Sequence, residues 1–234
     1  MKIAVMQPYF MPYIGYFQLI NAVDKFIIYD DVNYIKQGWI NRNNILLNGK
    51  SHLFSIPLKN ASSFKKINEI EINENLFFKW KEKFFKTLEL GYKKSPNYDH
   101  VISILRKSFN NNHQELCDFI YYSLVEICNY LNITTKIERT SEVYQNTGLE
   151  RAERLIDICK KENALTYINP IGGQELYTKD YFKKNDINLF FIKTNKIEYK
   201  QFKNDFVPWL SIIDILMFNT PDEISSMLNQ YELV

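Results

Sequence analysis

Histidine is nearly missing from this sequence: three occur among 234 residues, and none falls in a stretch that reads as a ligand loop. That scarcity excludes a Ser-His-Asp or Cys-His catalytic set, because each needs an imidazole beside its nucleophile. Cysteine is equally sparse. Cys117, Cys128 and Cys159 are an odd number without paired spacing, so they read as reduced, buried small hydrophobes and not as a disulfide framework. His113 and Cys117 stand four apart, but no second pair accompanies them, so no metal site is expected.

Long apolar runs are absent as well. No stretch approaches the ~20 residues that cross a bilayer, and Gln7-Pro8 interrupts the apolar start too early for a signal peptide. The expected location is cytoplasmic, with at most contact to a membrane through a partner. An excess of one charge is also missing. The 29 Lys+Arg against 27 Asp+Glu leave a net charge of +2, which lacks the strongly basic footprint of a nucleic-acid-binding protein.

What is present describes a globular chain. Hydrophobic residues make up 46% and the mean hydropathy is −0.31; the length suits a single α/β domain, 1–234, with room for a helical insertion. Aromatic residues are abundant, with 16 Tyr and 17 Phe, and most of them read as core. The exceptions stand in loops at the expected sheet edge: Tyr9, Tyr13, Tyr16, Tyr34, Trp39 and Tyr177.

The N-terminal stretch organises the rest. Lys2 to Met6 is a short apolar run rich in β-branched residues, Gln7 to Pro12 holds two prolines that forbid a central strand, and Gly15 opens a periodic segment. The order is buried strand, tight loop, helix from about Ile14. Asp24 to Val32 then reads as a loop and a strand ending in Asp30-Asp31, so residues 2–31 have the pattern of one βαβ unit. Open α/β sheets place ligands at the carboxyl ends of their strands. Gln7, Tyr9, Tyr13, Gly15 and Tyr16 fall there with the two aspartates, and the first amides of the helix favour anions. The dense polar and aromatic run Tyr34, Lys36, Trp39, Arg42 and Asn43 has too few aliphatic residues to be core.

Further along, Leu53–Leu58 is predicted as a strand and Ile67, Ile70 and Ile72 as another. From Asn75 the period becomes 3.6: Phe77, Trp80, Phe84 and Leu88 mark a helix that ends at Gly91. Ser95-Pro96 is read as the cap and first-turn proline of a second helix, and Leu116 to Leu131 forms a third. Residues 75–132 therefore read as a helical insertion or lid, with Arg106 and His113 able to reach a site only if it closes. Strand character resumes at Ile133–Ile137. A helix over Glu150–Asn163, a strand over Ala164–Ile168, a helix over Thr178–Lys184 and a strand over Leu189–Lys193 restore the α/β alternation. The loop Asn169–Gln174, with Gly172-Gly173 and Tyr177 behind it, is a second candidate ligand loop. Ser211/Asp214 and Thr220/Glu223 both have capping-box spacing; the second pair reads as a cap, and the first as a cap or as part of a site.

Gln7-Pro-Tyr-Phe-Met-Pro-Tyr-Ile-Gly-Tyr-Phe17, Asp30-Asp-Val with Tyr34, Trp39 and Arg42-Asn43, and the late Tyr199-Lys-Gln-Phe, Phe206-Val-Pro-Trp-Leu-Ser-Ile-Ile-Asp214 and Phe218-Asn219 carry a resemblance. It also takes in Thr166-Tyr-Ile with Gly172-Gly173 and Tyr177. Together they resemble the WbqC-like family, found in bacterial surface-polysaccharide (O-antigen) gene clusters. The resemblance implies a transferase of polysaccharide biosynthesis, and a glycine transferase role has been suggested for some members. Where the family often has Ser-Gly after the Thr-Tyr strand, this chain has Asn169-Pro170.

The expected fold is Rossmann-like α/β with a mostly parallel sheet, a helical insertion and a nucleotidyltransferase-like βαβ start. The expected function is acyl or aminoacyl (glycyl) transfer to an amino sugar that is nucleotide-linked or lipid-linked. Asp30 or Asp31 would hold and deprotonate the amine, Lys36 and Arg42 would hold a diphosphate or carboxylate, and Gln7 with Asn43 would orient hydroxyls. Tyr9, Tyr13, Gly15, Tyr16, Tyr34, Trp39, Gly172, Gly173, Tyr177, Ser211 and Asp214 complete the expected substrate-binding set. The donor stays open between ATP and an acyl or aminoacyl group, charged tRNA included. Two alternatives stand beside this reading. Pro12-Tyr-Ile-Gly-Tyr16 lies where nucleotidyltransferase-type folds carry His-x-Gly-His, but a phenol near pH 7 is neutral and supports phosphate less. The other alternative is a noncatalytic sugar-binding or scaffold protein.

Overall fold

In the computed structural model, residues 1–109, 114–203 and 205–234 are described. His113 lies outside them. The chain opens with β1 (Lys2–Met6), α1 (Ile14–Asn21) and β2 (Lys25–Ile28), as the apolar run, the proline loop and the glycine predict. Successive β1 side chains alternate between two buried clusters. Ile3 and Val5 join one, and Ala4 joins the other, so both faces of the strand are covered.

A hairpin follows: β3 (Arg42–Leu47) and β4 (Lys50–Ser55) pair antiparallel. Its turn is Asn48-Gly49, with φ of 53° and 71°, the positive pair that a two-residue turn demands. Arg42 and Asn43 thus lie on a strand where a loop was expected, and the strand expected at Leu53–Leu58 is split between β4 and β5 (Leu58–Lys59). A 3₁₀ turn at Ile67–Glu69 and the short β6 (Glu71–Ile72) replace the single strand expected there.

Three helices come next: α2 (Glu74–Tyr92), α3 (Tyr98–Ser108) and α4 (Leu116–Tyr130). Gly91 does not end α2. The helix runs through it, and a Cβ there would lie 2.6 Å from the Leu46 carbonyl oxygen, so the glycine serves the close approach of α2 to β3. Ser95 does not cap α3 either; its hydroxyl donates to the Tyr92 carbonyl at 2.7 Å. The three helices share one buried cluster with the β1 loop. Phe10 is the point of contact, its ring 5.3 Å from Phe119 and 5.8 Å from Phe54.

The second half alternates as predicted: β7 (Lys136–Glu138), α5 (Arg151–Lys161), β8 (Thr166–Pro170), α6 (Lys179–Lys183) and β9 (Asn188–Thr194). The chain ends with α7 (Ile212–Phe218), α8 (Pro221–Leu228) and β10 (Tyr231–Leu233). Thr220 and Glu223 form the expected capping box of α8.

These strands build one six-stranded sheet in the order β7-β2-β1-β8-β9-β10, parallel except for β10. The chain moves outward from β1 to β7 and then returns to the other side of β1, which makes the doubly wound order with its switch point between β1 and β8. Buried helices α5 and α6 cover one face, and α1, α4, α7 and α8 the other. Among the described residues no helix is long and apolar enough to cross a membrane. Cys117, Cys128 and Cys159 are free and buried.

Candidate functional site

The β1 loop is held from three sides. Phe10 N–H donates to Ile40 O at 3.0 Å, Ile212 N–H to Pro12 O at 2.8 Å, and the Met11 carbonyl accepts from Asn43 Nδ2 at 2.8 Å and Ser211 Oγ at 2.7 Å. Met11 itself has φ 44°, a left-handed conformation that costs a methionine about 1–3 kcal/mol and persists only when its surroundings impose it. Asn43 and Ser211 impose it, so both hold the loop. Ser211 also caps α7 through the Ile213 N–H at 3.3 Å. Of the two readings of Ser211 and Asp214, the capping box does not form: Asp214 points elsewhere. Tyr34 is likewise turned inward, donating to Asn41 Oδ1 at 2.8 Å.

Inside the loop, the Tyr16 hydroxyl donates to the Gln7 carbonyl at 2.8 Å, and the Tyr9 ring lies 5.6 Å from the Tyr16 ring. Burial pushes both phenols above their ordinary pKa, so both stay protonated. Tyr13 is different. Its ring lies back over the first turn of α1, where a Cβ on residue 15 would collide with it. Gly15 is therefore the space that Tyr13 needs. Burial raises the Tyr13 pKa, opposed by a hydrogen bond with Thr194 at the end of β9. Gly15→Ala is expected to swing the ring out of this position, at a change in helix propensity of only about 1 kcal/mol; a crystal structure of the variant checks it, and an unmoved ring contradicts the assignment.

Tyr13 forms one wall of a cleft of ≈ 280 Å³ at the carboxyl ends of β1 and β9. The opposite wall is the segment between β9 and α7. Trp209, 70% exposed and with φ 60°, sets its ring 5.9 Å from Tyr13 at 60°. Tyr199 and Phe206 meet edge to face at 5.1 Å, and Thr194, Asn195, Lys196 and Glu198 give a polar rim. Asp214 supports this wall from behind. It is fully buried; Oδ1 accepts from the Tyr92 hydroxyl at 2.7 Å, and Oδ2 from Tyr199 and Gln201 Nε2, both at 2.6 Å. Gln201 in turn accepts from Val207 N–H at 2.7 Å, and Tyr92 accepts from Leu46 N–H at 2.6 Å. Burial raises the Asp214 carboxyl above its ordinary pKa, against the pull of those donors.

Asp30 and Asp31 follow β2, and their surroundings separate them. Asp31 is closed off. Arg154 Nη2, from α5, donates to its two oxygens at 2.8 and 2.7 Å, and Ser141 Oγ donates to Oδ1 as well. Asp30 is tied on one side only: Oδ1 accepts from Thr140 Oγ1 at 2.8 Å and Ser141 N–H at 3.0 Å, and Ser141 Oγ lies 3.2 Å away. Among the described residues no bond falls on Oδ2. Asp30 lines a pocket of ≈ 300 Å³ with Asn68, Glu115, Asp118 and Glu142, where Arg139 is already paired with Asp118. Asn68 Oδ1 is buried there with no partner among the described residues. Burial raises the Asp30 pKa, and hydrogen bonds from Thr140, Ser141 and its own backbone oppose the rise.

The other expected residues lie apart. Lys36 and Trp39 are exposed. Arg42 turns back on its own loop, Nε donating to Gly38 O at 2.9 Å and Nη2 to Gln37 O, with its guanidinium 5.7 Å from the Trp39 ring. Arg106 stacks 4.8 Å over Phe85. After β8, Gly173 is buried and a Cβ there would strike the Asn169 side chain, whereas Gly172 faces open space. Tyr177 is half-buried against Phe182 at 6.1 Å, and burial raises its pKa with Arg151 opposing. Reasoning from sequence missed Arg154, Ser141, Tyr92, Tyr199, Gln201 and Trp209 as site-building residues. Trp209 and Tyr199 stand within the late motif, which is a signal; Arg154 sits in an amphipathic helix and gives none.

Fold and site together define a doubly wound α/β protein with an aromatic cleft and a half-tied carboxylate at its carboxyl edge. Within that class, residues 7–226 match the model of the WbqC-like protein family, and the chain belongs to it. It is similar to an uncharacterized protein of Mycobacterium tuberculosis, Rv1507c, at 29% identity over 230 residues, covering 97% of each chain. No solved structure matches.

Proposed function

We propose that this chain transfers an acyl or aminoacyl group, glycyl among the candidates, to the amine of a nucleotide-linked or lipid-linked amino sugar in surface-polysaccharide biosynthesis. The observation that carries the reading is Asp30. A general base needs a free oxygen, a fixed orientation and a pKa moved toward that of the group it deprotonates. Asp30 combines a fixed Oδ1, an Oδ2 that accepts no hydrogen bond among the described residues and a pKa raised by burial. The acidic pocket around it suits a cationic amine. Asp31, with both oxygens occupied by Arg154, is the residue that holds the β2 end in place.

In the proposed step the acceptor ammonium gives a proton to Asp30 Oδ2 and the freed amine attacks the acyl carbon. The nitrogen–carbon bond forms as the bond from that carbon to its leaving group breaks; the leaving group departs with the electron pair, and the second proton on the nitrogen passes to it or to water. The donor is an adenylate, a thioester or a charged tRNA.

The test begins with thermal shift against ATP, acyl-CoA and nucleotide-linked amino sugars, since a ligand of the folded state raises Tm by mass action. Mass spectrometry then follows modification of the sugar amine with each donor. Asp30→Asn is expected to cut turnover by about 10²–10⁴-fold, the usual size of general-base catalysis, while Tm holds, because the amide oxygen still accepts from Thr140 and Ser141. The acid limb of the wild-type pH–rate profile should lie above the ordinary carboxylate range. Full turnover in the variant removes Asp30 from this role, and no product from any donor favours a binding or scaffold protein.

A further inference from the structure

We propose that the cleft lined by Tyr13 and Trp209 holds the base of a nucleotide-linked sugar, stacked on the Trp209 indole. This deepens the reading above and rests on it for the nucleotide-linked acceptor. Three features show that the cleft is built in advance. Trp209 is held left-handed, at φ 60°, while 70% of its surface faces solvent. A large aromatic side chain kept both strained and exposed contributes little to the core, and such strain gathers at ligand-binding positions. Gly15 leaves the space that lets Tyr13 face it. Asp214 fixes the back wall through Tyr199 and through Gln201, which bonds to Val207 two residues before Trp209.

The lining selects a flat ring with a polar edge. Aromatic faces stack on any base, and Asn195 adds a polar side chain to the lining. Position agrees with this assignment, because doubly wound sheets receive nucleotides at their carboxyl edge. β2, which leads into Asp30, and β9, which leads into the cleft wall, lie three strands apart in the sheet, roughly 14 Å at about 4.8 Å per strand. A sugar carried on a diphosphate can span that distance, which places base and amine at opposite ends of one substrate.

The test titrates UDP, CDP, GDP and ADP calorimetrically against the wild type and Trp209→Ala, with glucosamine 1-phosphate as a base-free control. At least one nucleotide should bind the wild type, and W209A should weaken it about 5- to 150-fold, the range of one base stacked on an aromatic ring. The control should bind both proteins alike. Trp209→Gly, which permits the same backbone without strain, should lose the nucleotide equally while keeping or raising Tm; a merely structural tryptophan would lower Tm instead. The proposal is overturned by a nucleotide that binds W209A as tightly as the wild type, by equal weakening of the control, or by no nucleotide binding. Asp30→Asn should bind the nucleotide normally. Loss of turnover without loss of binding therefore separates failure of the transferase reading from failure of this one.

Discussion

Replacing Arg154 by methionine is expected to lower the unfolding free energy by about 3–5 kcal/mol, the usual result of leaving one partner of a buried ion pair alone. The Asp31 side chain is 0% exposed and that of Arg154 is 7% exposed, so water cannot replace the lost guanidinium. Ser141 would be the only donor left on Asp31 among the described residues. Urea denaturation of both proteins measures the change. The double variant D31N/R154M should recover part of the loss, because its buried charge is gone; a double-mutant cycle then gives the coupling. A loss below about 1 kcal/mol, within the range of exposed pairs, would mean that the pair does not hold β2 to α5.

The second large effect is expected at Asp214. Changing it to alanine removes the acceptor of Tyr92, Tyr199 and Gln201 at once. Each buried donor left unpaired costs about 1–3 kcal/mol, and a total of about 3 kcal/mol or more is expected. The same change should loosen the cleft wall, so nucleotide affinity should fall together with Tm. Asp214→Asn makes a gentler probe with a defined pH dependence. The folded state raises the Asp214 pKa, chiefly through burial, so the fold favours its protonated form. That contribution is fully present below the unfolded value, about 4, and is lost as pH rises through the raised folded value. Across this window the wild type should lose stability relative to D214N as pH increases. The opposite slope would mean that the three donors outweigh burial.

Much of the architecture was legible because it is local. The apolar run Lys2–Met6, the prolines at 8 and 12 and the periodic segment after Gly15 name a strand, a loop and a helix without help from elsewhere. The alternation from Glu150 to Lys193 marks the second half in the same way. Errors gathered where a residue type has two uses. Gly91 suits a helix end and also a close helix–strand approach, and only Leu46, distant in sequence, decides between them. Asn48-Gly49 is a hairpin signal, but β4 beside it is exposed at every position except Phe54, so no apolar alternation marks it as a strand.

The site divides along the same line. By itself the sequence determined the class of fold and the family, and it named polar and aromatic candidates for the carboxyl edge, because periodicity, turn chemistry and motif spacing act over a few residues. Only the tertiary structure decided which of those residues are free. Arg154, 123 positions from Asp31, closes one aspartate, while its neighbour keeps an oxygen without a hydrogen bond among the described residues. Tyr92, 122 positions from Asp214, turns a candidate cap into the support of a cleft. A carboxylate's chemistry is set by the donors and the burial around it, and those are supplied by chain segments that no local pattern brings together.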